Sequence, residues 1–212
     1  RRNLEITQAL SGGREGSLIA AIDRTVTAAG GRLLERRLSS PSRDLGEIRS
    51  RLAAVQALTE DSRLAEALRG LLRRVPDLDR ALSRLALDRG GPRDLAAIRN
   101  GLAEAERIAD VLAGAQVPER LAKAAAELVG HEALTHLLDA ALVAEPPLLT
   151  RDGGFIAPGY DAGLDEAREL RDEGRGVIAR MQGDSVAQNR IQTLKIRHNN
   201  VLGNLLETTD NN

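Results

Sequence analysis

Along most of this chain apolar residues recur in steps of three and four, the period that gathers them on one side of an α-helix. After a short segment from Leu4 to Leu10, closed by Gly12-Gly13, the pattern predicts a first helix over 15–24. A second starts near Thr27, whose hydroxyl can accept from the free amides of the first turn, and stops before Pro41. Gly30-Gly31 falls inside it at a cost of about 1 kcal/mol per residue relative to Ala. That cost predicts a close helix–helix or helix–backbone approach at these glycines. Ser42 caps the next helix, Asp44 sits in its first turn, and Leu45, Ile48, Leu52, Val55 and Leu58 form one apolar stripe. Ser62 begins another, with Leu64, Leu68, Leu71 and Leu72 inward and Arg69, Arg73 and Arg74 outward, until Pro76. A short helix with Leu78, Leu82, Leu85 and Leu87 comes next.

The most regular stretch lies between Gly90-Gly91 and Gly114. Pro92 suits a first helical position, and Leu95, Ile98, Leu102, Ala105, Ala109 and Leu112 keep heptad spacing on a helix about 30 Å long. Pro118 opens a helix that buries Leu121, Ala125 and Leu128; beyond Gly130 comes a face of Leu134, Leu137, Leu138, Ala141 and Leu142, ended by Pro146-Pro147. Arg151-Asp152-Gly153-Gly154 is turn chemistry, and Phe155, Ile156 and Pro158-Gly159-Tyr160 read as a packed irregular link. Asp161 caps a long final helix with Leu164, Ala167, Leu170, Val177, Ile178 and Met181 on its apolar side, weakened midway by Gly174 and Gly176. From Ile191 the pattern turns β-like: Leu194, Ile196 and Val201 to Leu206 suggest strands, with Gly203 as a bulge or turn. The fold predicted is mainly α, an antiparallel helical bundle with one long helix and a short C-terminal β segment, divided as 1–188 and 189–212.

Composition narrows the possibilities. Phe155 and Tyr160 are the only aromatics, so the core is built from Leu, Ala, Ile and Val, and base stacking on aromatic platforms is excluded. The 30 Lys and Arg balance 31 Asp and Glu, so any role in nucleic-acid binding must be local. No cysteine is present, which excludes disulfides, thiolate zinc sites and a Cys nucleophile, and fits a cytoplasmic protein. No apolar run approaches the roughly 20 residues that span a bilayer. A start at Arg1 and an end at Asp210-Asn211-Asn212 read as the edges of a fragment.

Candidate chemistry is sparse. His131-Glu132-Ala133-Leu134-Thr135-His136 approaches the zinc motif H-E-x-x-H, but its histidines are five apart, about 140° round a helix, so surface histidines are the better reading. Gly12-Gly13-Arg14-Glu15-Gly16-Ser17 lacks the lysine of a phosphate loop and reads as a connector with a helix start. No G-x-x-x-x-G-K-[ST] occurs anywhere. Arg36-Arg37, Arg69, Arg73, Arg74 and Arg80 form basic clusters that are either solvated faces or phosphate contacts. The acidic pairs Asp165-Glu166 and Asp172-Glu173 fit helix electrostatics better than acid–base catalysis, because adjacent helical residues do not face each other. Lys195, Arg197 and Asn199, with His198 and Asn200, supply cationic and amide groups in the β-like stretch, suited to phosphate contacts or simply to protecting a strand edge.

Several phrases, in order, resemble the bacterial MutS family of DNA mismatch repair proteins. These are Arg2-Asn3-Leu4-Glu5-Ile6, Ile22-Asp23-Arg24-Thr25-Val26-Thr27 with Gly30-Gly31-Arg32-Leu33-Leu34, and Asp77-Leu78-Asp79-Arg80 with Pro92-Arg93-Asp94-Leu95. Further along come Arg151-Asp152-Gly153-Gly154 with Gly159-Tyr160-Asp161, then Leu194-Lys195-Ile196 with Asn199, Val201 and Gly203. The resemblance departs after Gly203, where Asn204-Leu205-Leu206 stands in place of aromatics. It implies a helical core and lever domain over 1–188 and the start of a DNA clamp over 189–212, with Lys195, Arg197 and Asn199 as the residues that would meet the DNA backbone. It also implies a parent protein that binds mismatched double-stranded DNA, pairs with a second copy of itself, works with a MutL-type partner and hydrolyses ATP with Mg at a site outside this fragment. No cofactor, metal or catalytic residue is then expected within the chain. The competing class is a stand-alone helical scaffold presenting the heptad stripe of 92–114 to a partner; a small metalloenzyme rests only on the failed histidine motif.

Overall fold

The computed structural model describes residues 4–189, 195–199 and 203–207, which fall in two compact units, Arg1–Ala157 and Pro158–Asn212. The first holds α1 (Leu18–Ile22), α2 (Ala28–Ser39), α3 (Leu45–Glu60), α4 (Ser62–Leu72), α5 (Leu78–Ala86), α6 (Pro92–Ala113), α7 (Glu119–Glu127) and α8 (Glu132–Ala141). The second holds α9 (Ala162–Asn189) and the antiparallel strands β1 (Lys195–Asn199) and β2 (Gly203–Glu207). The predicted mainly α bundle with a short C-terminal β element is what forms.

Local sequence sets most of the helix ends. Thr27 Oγ1 accepts from the Gly30 amide, Asp61 from Leu64, Asp77 from Arg80 and Asp161 from Leu164, each satisfying an amide of a first turn. Two sequence expectations need correction here. The first helix is only Leu18–Ile22, because three left-handed glycines, Gly12, Gly13 and Gly16, hold the preceding chain in turns and Ser17 is the cap. The cap of α3 is Asp44, which accepts from Glu47 at 2.7 Å, while Ser42 accepts from the Asp44 amide just outside the helix. Gly30-Gly31 also has another explanation than helix–helix contact. A Cβ on Gly30 would lie 2.8 Å from Thr27 Oγ1, so the cap hydroxyl folds back onto its own first turn.

The 22-residue α6 is the axis of the first unit: α4, α5, α7 and α8 all pack on it. Toward its C-terminal end Ile108 and Leu112 meet Leu64 and Leu68 of α4, with Leu121, Ala125 and Leu128 partly buried against them. Toward its N-terminal end Ile98 meets Ala81 of α5 and Leu138 and Leu142 at the end of α8, with Phe155 packed alongside. Each fully buried Leu or Ile among them contributes about 1.5–3 kcal/mol. Between the two clusters Gly101 admits Leu78, whose Cδ2 lies 2.4 Å from where a Cβ would stand. Because four helices surround it, burial on α6 runs around the rod rather than along one stripe: Ala96, Arg99, Gly101, Glu104 and Ile108 are buried, while Leu95 and Leu102 are only partly so. The heptad stripe is therefore consumed inside the unit and is no free surface for a partner.

Elsewhere the apolar stripes are less covered than their spacing suggests. On α3, Leu45, Leu52 and Val55 are exposed and Ala54 is the buried position; on α5 and α8, Leu82, Leu134 and Leu137 are exposed. After α8 the chain doubles back: Leu142 bridges Ile156, the Val143 amide donates to the Phe155 carbonyl at 3.0 Å, and Ala157 donates to Ala141 at 2.9 Å. Of the packed irregular link predicted over Phe155, Ile156 and Pro158-Gly159-Tyr160, the first two residues make this pairing, whereas Pro158, Gly159 and Tyr160 are exposed.

In the second unit Asp165 accepts from the Gly159 amide at 2.6 Å and from Arg168, locking the start of α9, and Gly159 takes the left-handed φ of +82° that a side chain disfavours. Leu170, Val177 and Met181 along α9 are exposed. The compact units divide between Ala157 and Pro158, so the boundary expected between 188 and 189 lies inside the second unit, within the last turn of this helix. Ile191, Leu194, Asn200 and Val201, named above from sequence, lie outside the described residues.

Candidate nucleic-acid interface

The strand signal at the C-terminal end resolves into a hairpin. Lys195 pairs with Glu207, Arg197 with Leu205 and Asn199 with Gly203. The three candidate phosphate-contact residues thus occupy alternate positions of β1, which the two-residue period of a strand assigns to one face. Lys195 is exposed. Gly203 opens β2 opposite Asn199 rather than forming a bulge, and Asn204, Leu205 and Leu206, where the family resemblance lapses, still pair in register with β1.

Of the other basic residues, Arg69 and Arg74 have their side chains engaged within the first unit. Arg69 donates to the Arg24 carbonyl at 3.0 Å, and Arg74 reaches Glu104 at 3.0 Å, a carboxylate that also bonds Arg107. Arg80 lends its backbone amide to the Asp77 cap, and Arg73 terminates α4. Arg36 lies exposed in the last turn of α2, whereas Arg37 is half-buried between α2, α3 and α7.

The remaining sequence candidates settle into structural roles. His131 and His136 are both exposed at the start and middle of α8. Glu132, between them, accepts from the Gly130 amide, and its own amide and that of Gly130 hold its carboxyl below the ordinary range. A carboxylate bound to backbone amides at a helix start serves as a cap, not as the base of a metal site. Among the described residues no group of three or more His, Cys, Asp or Glu is placed to hold a metal. Ser17, at the end of the glycine loop, caps a helix of five residues. Asp165 is engaged in the α9 start and Asp172 with Arg171 at 2.9 Å. Among the described residues no helix is long and apolar enough to cross a membrane.

Two sets of arginine contacts that periodicity passed over hold the first unit together. Arg99 sends Nη1 to the Val143 carbonyl at 3.2 Å and Nη2 to the Ala144 carbonyl at 2.9 Å, and Arg93 adds a bond to the Pro146 carbonyl. These arginines strap the chain leaving α8 onto α6. Between α2 and α5, Arg32 forks onto Asp77 at 2.7 and 2.9 Å and touches Asp79. That fork, then the Arg80 amide, holds the Asp77 carboxyl below its ordinary range. The Asp77-Leu78-Asp79-Arg80 phrase is therefore the landing point for the Arg32 of the Gly30-Gly31-Arg32 phrase.

The first unit is thus a helical bundle organised on one long rod, and the second a further long helix and a hairpin. Comparison with known proteins gives the family. The family described as MutS domain III matches residues 1–211, and the chain belongs to that family. It is 68% identical over 209 residues to the DNA mismatch repair protein MutS of Paracoccus denitrificans, 69% to that of Cereibacter sphaeroides and 64% to that of Ruegeria pomeroyi. In each comparison 99% of this chain is covered but 24% of the relative, so the chain spans about a quarter of the length of the curated relatives it matches.

Proposed function

We propose that this chain is the core and lever region of a DNA mismatch recognition protein, coupling an ATPase site elsewhere in the parent to a clamp that grips the DNA backbone. The parent would bind ATP with Mg, embrace mismatched double-stranded DNA together with a second copy of itself, pass the signal to a MutL-type partner, and work in the cytoplasm. The helical unit itself performs no chemistry. The observation that carries the reading is the sequence of elements in the second unit: a 28-residue helix that leads, after a short link, to a hairpin with Lys195, Arg197 and Asn199 at alternate positions of its first strand. Cationic and amide side chains at such positions suit phosphate oxygens, which position a protein without reading bases.

The test is charge reversal, Lys195→Glu with Arg197→Glu, in the full-length protein. Each lost phosphate contact removes about 0.9 from the slope of log affinity against log salt on B-DNA, so the double variant is expected to lose nearly two slope units and to weaken on all sequences alike. Unchanged affinity and slope would remove the hairpin from the interface. A loss confined to mismatched over matched DNA would place these residues in recognition instead.

A further inference from the structure

Helices α2, α3 and α7 enclose a groove of about 780 Å³ to which each contributes a guanidinium: Arg37, Arg51 and Arg120. Glu47 neutralises one charge, accepting from Arg51 Nε at 2.7 Å through Oε1 and from Arg120 at 2.8 Å through Oε2. Those bonds keep its carboxyl below the ordinary range. Arg37 has no such partner: among the described residues no carboxylate lies within ion-pair distance of it, and its Nε is buried without an acceptor. Burial, then the like charges of Arg51 and Arg120, pull its pKa down. Of the guanidinium nitrogens only Nε is buried without a partner, which is costly, so a ligand in the groove would meet the Nη groups. The lining holds four cations, Arg37, Arg51, Arg120 and Lys123, against the carboxylates Glu47, Glu119 and Glu127, which leaves one positive charge, and neither α7 carboxylate pairs with Arg37.

We propose that this groove is an oxyanion site that takes a phosphate group, either inorganic phosphate or a phosphomonoester, with Arg37 as its principal donor. A phosphate is an anion at pH 7, opposite in sign to the net charge of the lining, and offers several acceptor oxygens to donors arriving from different helices. Guanidinium forks suit that geometry better than ammonium groups. The groove is larger than a phosphate, and its apolar floor of Ala54, Val55 and Leu58 has room for the organic part of an ester. This site lies in the first unit and does not depend on the hairpin reading.

The experiment titrates the chain with inorganic phosphate and, separately, with phenyl phosphate, replacing chloride at constant ionic strength. It follows the thermal midpoint and the Nε–Hε NMR resonance of Arg37. Saturable shifts with either probe are expected. Arg37→Gln should weaken binding about tenfold or more, as loss of charge-assisted bonds implies, and Glu47→Gln, which removes the competing carboxylate, should tighten it. Tighter binding of phenyl phosphate would identify the ester as the natural form, and equal binding the free ion. No saturation beyond chloride, equal saturation by acetate, or unchanged affinity in Arg37→Gln would overturn the proposal. Should Arg37→Gln fail to fold, Glu47→Gln decides alone, since weaker binding in that variant contradicts a cationic phosphate site.

Discussion

Replacing Arg99 by Met keeps most of its buried apolar stem and deletes the guanidinium that straps the chain after α8. Arg99 is 8% exposed and donates to two backbone carbonyls, with a third bond to Asn100 and Asp139 at 3.9 Å. A hydrogen bond from a charged group contributes about 1.5–3 kcal/mol net. The two orphaned carbonyls would fare differently: Ala144 is exposed and can turn to water, whereas Val143 is half-buried and cannot do so freely. The Asp139 carboxylate is 76% exposed and adds little in water. The sum is a loss of about 2–4 kcal/mol, or roughly 5–15 °C in midpoint for a chain of this size. Two readouts separate this mechanism from general loosening. Thermal unfolding gives the magnitude, and amide exchange at Val143, whose amide donates to the Phe155 carbonyl, reports whether the strap itself has opened. Arg99→Lys should recover less than half, because an ammonium cannot span two carbonyls as a planar fork does. A midpoint within about 2 °C of the parent, with Val143 protection intact, would refute the assignment of Arg99 as the strap.

Other substitutions probe separate features. Gly101→Ala should destabilise by about 1 kcal/mol in urea titration, since the overpacking against Leu78, about 1–3 kcal/mol, exceeds the helix-propensity gain of about 1 kcal/mol. Asp61→Ala should cost about 1 kcal/mol by removing the α4 cap, with amide exchange rising first at Leu64. The Asp77 carboxyl should titrate below its ordinary value of 3.8 by NMR, and rise from its lowered position in Arg32→Ala. Its folded pKa is depressed, so the Arg32–Asp77 tie is fully present above about pH 4 and is lost as pH falls through the lowered value; a tie that instead weakened above pH 4 would have the wrong sign.

Helix identity was legible wherever apolar period and caps agreed, as at Thr27, at Pro92 and at Asp161. What spacing could not show is how many neighbours each helix has. A single heptad stripe describes a helix with one buried side, and α6 is surrounded, so Arg99 and Glu104 were hidden among positions that periodicity assigns to solvent. Conversely Leu45, Leu52 and Val55 keep helical spacing yet remain exposed. The cap of α3 was displaced by two residues because Ser42 and Asp44 are both competent acceptors and only the chain's path chooses between them. The basic clusters failed as a group for a related reason: sequence proximity placed Arg36 with Arg37 and Arg73 with Arg74, but Arg37 turns to α3 and α7 while Arg74 turns to Glu104. The candidate hairpin was readable from its alternation and from family resemblance together; neither the Arg32–Asp77 fork nor the Arg37 groove leaves a local signature, because their members lie far apart along the chain.

The two clusters on α6 have a further consequence for how this unit tolerates change. Ile98 and Ile108 are ten positions apart on the same helix, about 15 Å along its axis. At that separation, with no side chain shared, substitutions at one end should add to those at the other with little interaction. Damage is thereby insulated: a sequence can drift, or be redesigned, around Leu64 and Leu112 without retuning the fit around Ala81 and Leu138. The seam between the two territories falls between Gly101, which receives Leu78 of the Ala81 cluster, and Glu104, which receives Arg74.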